Sequence, residues 1–306
     1  METASRRRGR AFAPAHVTGF FAPRLAARDP RARGSVGAGL VLGVGVTATV
    51  RARPGARAGV RFEGRGRVRF PISEEAARRL LRGHRAELAV TLEHAVPIGR
   101  GFGASAAGAL ATALAVGAAV GEPRRRSVEV AHLADLFGRG GLGGVAAILD
   151  GGLEARLRPG IPPFGRVRHF PREDDVLVGS LGDPLASPRI LADPRRLARL
   201  GAAEELVEEF LHDPDPERFW ATAEAFTDRV GLASRPLSVV LRALRRRGCR
   251  AFQAMFGETF VAELPPPERV PGVLRWIASR RLGGRLVPVA AGGAERLPEP
   301  DPLGAP

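Results

Sequence analysis

Lysine, asparagine and tyrosine are absent from this 306-residue sequence, and cysteine occurs once, as Cys249. Without lysine there is no Walker A lysine, no protein-kinase strand lysine and no Schiff-base chemistry. Phosphate charge must instead be met by arginine, backbone N–H groups or a metal ion. A single cysteine excludes an intramolecular disulfide and any cysteine-built zinc site, and suits a reducing compartment. Long apolar runs are also missing. The best of them, residues 104–120, is alanine-rich and interrupted by glycines, whereas a bilayer-spanning helix needs about 20 strongly apolar residues. No apolar stretch follows Arg6, Arg7 and Arg8, so no secretory signal and no membrane partner are expected, and the expected setting is cytoplasmic.

What remains is a chain with 44% hydrophobic residues, ordinary for a soluble globular protein. All 47 basic residues are arginine, and the net charge is +15. A strongly GC-biased codon usage accounts for arginine, alanine, glycine and proline at the expense of lysine, asparagine and tyrosine. The arginines are scattered among acids and aromatics make up 6%, so nucleic acid is not the expected partner. The positive field favours anionic small substrates instead.

Alternation predicts strands over 40–53, a short pair over 59–70 around Gly64 and Gly66, and a strand over 87–94. Ser73 is expected to cap a helix running to about Arg82. Residues 34–39 (GSVGAG) read as a glycine-rich turn before a strand. Helices are expected through about Val120 and from Ser127 to Phe137, a glycine cluster over 138–144, then a short helix, and strands over 153–157 and near Val167 and Val176. Mostly helices follow from Arg189 to Arg247, with a last strand over 258–263. No internal repeat or long linker divides the chain, so the expected class is one α+β unit of two lobes. The expected limits are a disordered leader over 1–10, an N-terminal lobe over 11–160, a C-terminal lobe over 161–290 and a flexible tail over 291–306.

The most informative segment runs from Pro97 to Ala107, PIGRGFGASAA, between a predicted strand and a predicted helix. A helix N-terminus offers unpartnered N–H groups and a positive dipole end, which together attract an anion. Gly99, Gly101 and Gly103 allow positive φ and close approach to a phosphate. Ser105 offers a hydroxyl to phosphate or Mg²⁺, and Ala106 keeps the helix slim. Glycines alone also fit a packing turn. The third glycine is at the wrong spacing for a dinucleotide-binding fingerprint, and no G-K-[ST] is present for a Walker A loop.

This segment resembles the phosphate-binding motif of the GHMP kinases, usually P-x-x-x-G-L-G-S-S-A-A. Ala104 stands where many members have the first serine, and Ser105 is retained. Two further blocks sharpen the resemblance to the pantoate kinase family. One is residues 14–21 (PAHVTGFF) with Asp29-Pro30 and 34–39, and the other is residues 254–262 (AMFGETFVA). The resemblance implies a GHMP kinase fold, with an N-terminal ribosomal S5 domain 2-like lobe and a C-terminal ferredoxin-like lobe around a shared active-site cleft. It implies ATP and Mg²⁺, transfer of phosphate to the hydroxyl of pantoate in coenzyme A biosynthesis, and a homodimer in an archaeal cytoplasm.

By that resemblance, Pro97, Gly99, Gly101, Phe102, Gly103, Ala104, Ser105 and Ala106 hold the ATP phosphates. Ser105 and Asp135 are the catalytic and metal-binding pair, and Ser35, Gly37, His132, Arg156 and His16 serve pantoate. His16 taken alone reads more readily as a hydrogen-bonded core histidine, and His132 and Asp135 as a solvated helix face. One departure stands out. The family reads G-T-G-L-G-D-V where this chain has Gly140-Gly141-Leu142-Gly143-Gly144-Val145, so Gly144 replaces a candidate catalytic aspartate. Asp150 could substitute only if the backbone brought it round. Three rivals follow: another GHMP kinase of the mevalonate or homoserine type, a nucleotide-binding pseudokinase, and a nucleic-acid-binding module.

Overall fold

The computed structural model describes residues 7–55, 57–63, 69–138, 140–182 and 193–298. Its first sheet is built on two long antiparallel strands, β1 (Arg7–Arg24) and β2 (Gly34–Pro54). β1 is buried along most of its length, so it lacks the alternation that marks a half-exposed strand. Its Pro14 sits beside a register shift between Pro14 and Ala15, where a strand proline loses no ladder bond. The first half of β2 pairs with β5 (Leu153–Arg158), and the second half with β4 (Ala86–His94). β3 (Gly59–Glu63) runs parallel to β4, with helix α1 (Pro71–Leu81) between them in the chain. β6 (Arg166–Phe170) pairs with β5 in the same sheet.

Residues 34–39, expected as a turn, are strand. The reason is close approach. A Cβ at Gly39 would overlap the His16 ring, and one at Gly37, where φ is 141°, would overlap the backbone of Phe20. Glycine inside a strand marks such contacts. α1 begins at Pro71, whose fixed φ suits a first helical position. Ser73 is buried inside the helix and is not its cap.

Helix α2 (Ala104–Val120) is buried on nearly every face, as an all-apolar helix must be. It lies across β1 and β2, with α1 and α3 (Arg124–Phe137) outside it. The short α4 (Gly144–Ala147) follows the glycine cluster.

The second sheet contains β7 (Asp175–Ser180), β8 (Ala251–Gln253), β9 (Thr259–Glu263) and β10 (Arg285–Pro288), in the spatial order β10-β7-β9-β8, all antiparallel. Helices α5 (Pro194–Gly201), α6 (Glu204–His212), α7 (Pro216–Val230) and α8 (Arg235–Arg245) separate β7 from β8, and α9 (Val270–Ser279) separates β9 from β10. In this lobe's own numbering the strand order is 4-1-3-2, the ferredoxin-like arrangement expected. The expected helical stretch from Arg189 begins outside the described residues.

The lobes share structure. Isolated bridges join Thr18 to Met255 and Leu42 to Val289, and one apolar core includes Phe20, Leu40, Phe219 and Phe252 from both sides. Because β6 belongs to the first sheet, the change of sheet falls between Phe170 and Asp175, later than residue 160. Arg7–Arg10 of the expected leader lie in β1, and Glu295–Leu297 of the expected tail form β11, which pairs with β1. Residues 1–6 and 299–306 lie outside the described residues.

Candidate active site

A cavity of about 380 Å³ opens where the two lobes meet. One wall is the turn between β4 and α2. Gly99, Gly101 and Gly103 take φ values of 74°, 86° and 62°, conformations that side-chain-bearing residues rarely adopt. The first i→i−4 bond of α2 is donated by Ala107 to Gly103. The amides of Ala104, Ser105 and Ala106 therefore lie in the first turn, where helix N–H groups lack internal partners. All three residues line the cavity.

The C-terminal lobe braces this turn. Gly257 packs so tightly on Arg100 that a Cβ would overlap the Arg100 carbonyl. The Thr259 hydroxyl donates to that same carbonyl. Met255 and Phe256 close the adjacent wall, and Phe256 meets Phe21 edge-to-face at 5.3 Å.

Asp135 projects from α3 toward α2, with Ser105 Oγ donating to Oδ1 at 3.5 Å. Burial pushes the Asp135 carboxyl up to about 7, against the lowering effect of the Ser105 bond. With one long hydrogen bond among the described residues, this buried carboxylate is poorly compensated. The glycine cluster is the third wall, and its lack of side chains makes room. A Cβ at Gly140 would overlap Asp135 Oδ1, and one at Gly143 would sit 2.7 Å from Ser35 Oγ. Gly144 also lines the cavity, and a Cβ there would lie 2.7 Å from the Ala106 methyl.

At the far end, β5 carries Glu154 and Arg156 two residues apart, and thus on one face of the strand. Both are buried and form an ion pair. His16 reaches across Gly39 from β1, and its Nε2 lies 2.9 Å from Glu154 Oε1. Burial lowers the His16 pKa, with Glu154 acting in the opposite direction. Arg156 Nε is buried with no hydrogen-bond partner among the described residues, and Ser35 stands nearby on β2. A buried unmet donor costs about 1–3 kcal/mol. An anionic group entering here would relieve that cost.

His16, Ser35, Gly99, Gly101, Phe102, Gly103, Ala104, Ser105, Ala106, Asp135 and Arg156, all expected from sequence, line this one cavity. Three expected residues do not. Pro97 is exposed on the turn outside it. Gly37 is buried in the sheet against Phe20 and Phe21. His132 is buried, with Nε2 3.3 Å from the Pro30 carbonyl. It fixes the segment leading to Ser35 instead of facing the cavity. Asp150 is exposed and caps the Gly151 amide, so it does not replace the missing carboxylate.

Sequence reasoning missed Glu154, Thr18 and the apolar end of the cavity. There Phe70 stacks on His94 at 5.1 Å beside Ile72 and Ile98. The only local signal for Glu154 was its i, i+2 relation to Arg156.

Residues 72–152 match the GHMP kinases N terminal domain, the span from α1 through the phosphate turn to the glycine cluster. A pantoate kinase of Thermococcus kodakarensis is 36% identical over 242 residues, covering 77% of this chain and 80% of the relative. A pantoate kinase of Methanospirillum hungatei is 27% identical, covering 81% and 84%. A solved structure described as a phosphotransferase related to the CoA biosynthesis pathway superposes with a TM-score of 0.83 at 31% identity, over 95% of this chain and 98% of that one. The phosphate turn, the brace from residues 254–262 and the buried arginine thus sit in a fold matched nearly end to end, and the chain belongs to the pantoate kinases, within the GHMP kinases.

Proposed function

We propose that this protein transfers the γ-phosphoryl group of ATP to the hydroxyl of pantoate, giving ADP and 4-phosphopantoate for coenzyme A synthesis. The observation that carries this reading is the cavity's two unlike ends, joined in one volume. One end presents first-turn amides and positive-φ glycines to a polyphosphate. The other presents to a carboxylate a buried arginine whose Nε is unpaired among the described residues.

Phosphoryl transfer depends mainly on positioning and on neutralising charge. The amides of Ala104, Ser105 and Ala106 would hold phosphate oxygens, and the apolar end around Phe70 and Ile98 would take the base. Asp135 and Ser105 fit a Mg²⁺ ion, because an under-compensated buried carboxylate gains most from a cation. Mg²⁺ commonly binds one or two protein oxygens and completes its shell with phosphates and water. Among the described residues no cluster of three or more acidic, histidine or cysteine side chains could hold a metal alone, which accords with a metal brought in with ATP. Mg²⁺ would neutralise charge on the transferring group. Arg156 and Ser35 would grip the pantoate carboxylate, and His132 would hold the 30–34 segment that carries Ser35. The homodimer and the cytoplasmic setting rest on likeness to the family.

Purified protein with Mg-ATP is expected to release ADP only when pantoate is added. Ser105→Ala should lower kcat about 10²–10³-fold, the usual cost of losing one group that stabilises transition-state charge. ATP binding without any pantoate-dependent ADP, over a range of metals and salt, would favour the pseudokinase instead.

A further inference from the structure

Among the described residues lining the cavity, Asp135 is the sole carboxylic acid, and it is turned toward Ser105, where the cation is placed. The proton of the acceptor hydroxyl therefore needs another destination. Resting on the kinase reading above, we propose that Thr18 and His16, backed by Glu154, form a proton relay that receives it.

The relay is positioned between the two substrates. His16 lies directly under the phosphate turn: its amide donates to the Phe102 carbonyl at 3.0 Å, and Gly103 packs over its backbone. Its ring reaches the Glu154–Arg156 pair at the acceptor end. Thr18, two residues along β1, is held by the Met255 amide, which donates to its carbonyl at 3.1 Å. Thr18 lines the cavity.

The hydrogen bonds fix the direction of transfer. Glu154 also accepts from Arg156, so its carboxylate accepts from His16 Nε2–H as well. That leaves Nδ1 as the acceptor, 3.3 Å from Thr18 Oγ1, and makes the Thr18 hydroxyl the donor. The remaining lone pairs of Thr18 are free to accept from a substrate hydroxyl. As the substrate oxygen attacks the γ-phosphorus, its proton passes to Thr18 Oγ1 and the Thr18 proton passes to His16 Nδ1. The new P–O bond forms, the bond to the bridging oxygen of ADP breaks, and the imidazolium, facing the Glu154 carboxylate, later gives its proton to water.

The charged and titratable groups facing His16 are Glu154 and Arg156 on β5 and His169 on β6. Burial holds the ring below its ordinary 6.5, so it is neutral and able to accept at neutral pH. The relay is lost as pH falls through that lowered value.

The test is the pH dependence of kcat at saturating pantoate and Mg-ATP for wild type, Thr18→Val and Thr18→Ser, with Thr18→Ala as a second hydroxyl deletion should valine crowd the strand. Thr18→Val should lower kcat about 10²-fold, the lower end for general-base assistance, with the KM for pantoate little changed and the acid limb flattened. Thr18→Ser should recover most of the rate and restore the limb. A Thr18→Val enzyme with wild-type kcat and pH profile, or one changed in KM alone, overturns the relay. Wild-type protein that releases no ADP with pantoate overturns the kinase reading, and the relay with it.

Discussion

The two ends of the cavity are made by different means. The nucleotide end is backbone: helix amides, three glycines at positive φ, and an opposing cluster of glycines that leaves space. The acceptor end is side chains from three adjacent strands: His16 on β1, Ser35 on β2, and Glu154 and Arg156 on β5. A backbone site fails when something is added to it. A buried charged network fails when something is removed, because the surviving partner is left uncompensated in the interior.

Arg156→Met should show the largest effect of this kind. It leaves Glu154 buried with only His16, which should cost about 3–5 kcal/mol of stability, read by chemical denaturation. The folded fraction should need far more pantoate, while its affinity for nucleotide is unchanged. Loss of nucleotide binding alone would blur the division between the two ends.

Gly144→Asp tests the opposite failure. The Cβ would stand 2.7 Å from the Ala106 methyl, so one of the two helices α2 and α4 must shift. Overpacking costs about 1–3 kcal/mol. The expected result is a lower melting temperature with no gain in kcat, partly relieved by Ala106→Gly in the same chain. A rise in kcat for Gly144→Asp alone would mean that the missing carboxylate limits turnover.

Asp135 gives a smaller effect with a definite sign. Its folded-state pKa of about 7 lies above the 3.8 of an exposed aspartate, so the folded protein keeps this proton to higher pH than the unfolded chain. The stability linked to that proton is full below about pH 4 and is lost as pH rises through about 7. In EDTA, wild type should melt at least roughly 3 °C lower at pH 8 than at pH 5 by this contribution, and Asp135→Asn should remove the difference. Mg-ATP should restore the wild-type melting temperature at pH 8. An unchanged pH dependence in Asp135→Asn would place the titrating group elsewhere.

The same contrast explains what the sequence made legible. The glycines marked the turn for positive φ, which Gly99, Gly101 and Gly103 all adopt, while its reading as a phosphate site came from the GHMP resemblance of the whole segment. The C-terminal lobe followed from family resemblance, and its 4-1-3-2 strand order agrees with it. Glu154 could not be found in the same way. Its partnership with His16 spans 138 positions and depends on β1, β2 and β5 lying in register. β1 went unseen because burial of both faces removed its period, and residues 34–39 read as a turn because their glycines answer to neighbours distant in sequence. His132 was assigned to the substrate by family resemblance, and its ring meets Pro30 instead.

The most direct test is a competition assay, comparing kcat/KM for pantoate, homoserine and mevalonate with Mg-ATP and wild-type protein. Membership of the pantoate kinases predicts that pantoate is preferred by a wide margin, and because all three acceptors carry a carboxylate, Arg156→Met should lower kcat/KM for each of them. Equal or greater efficiency with homoserine or mevalonate, undiminished in Arg156→Met, would contradict the assignment of the acceptor end.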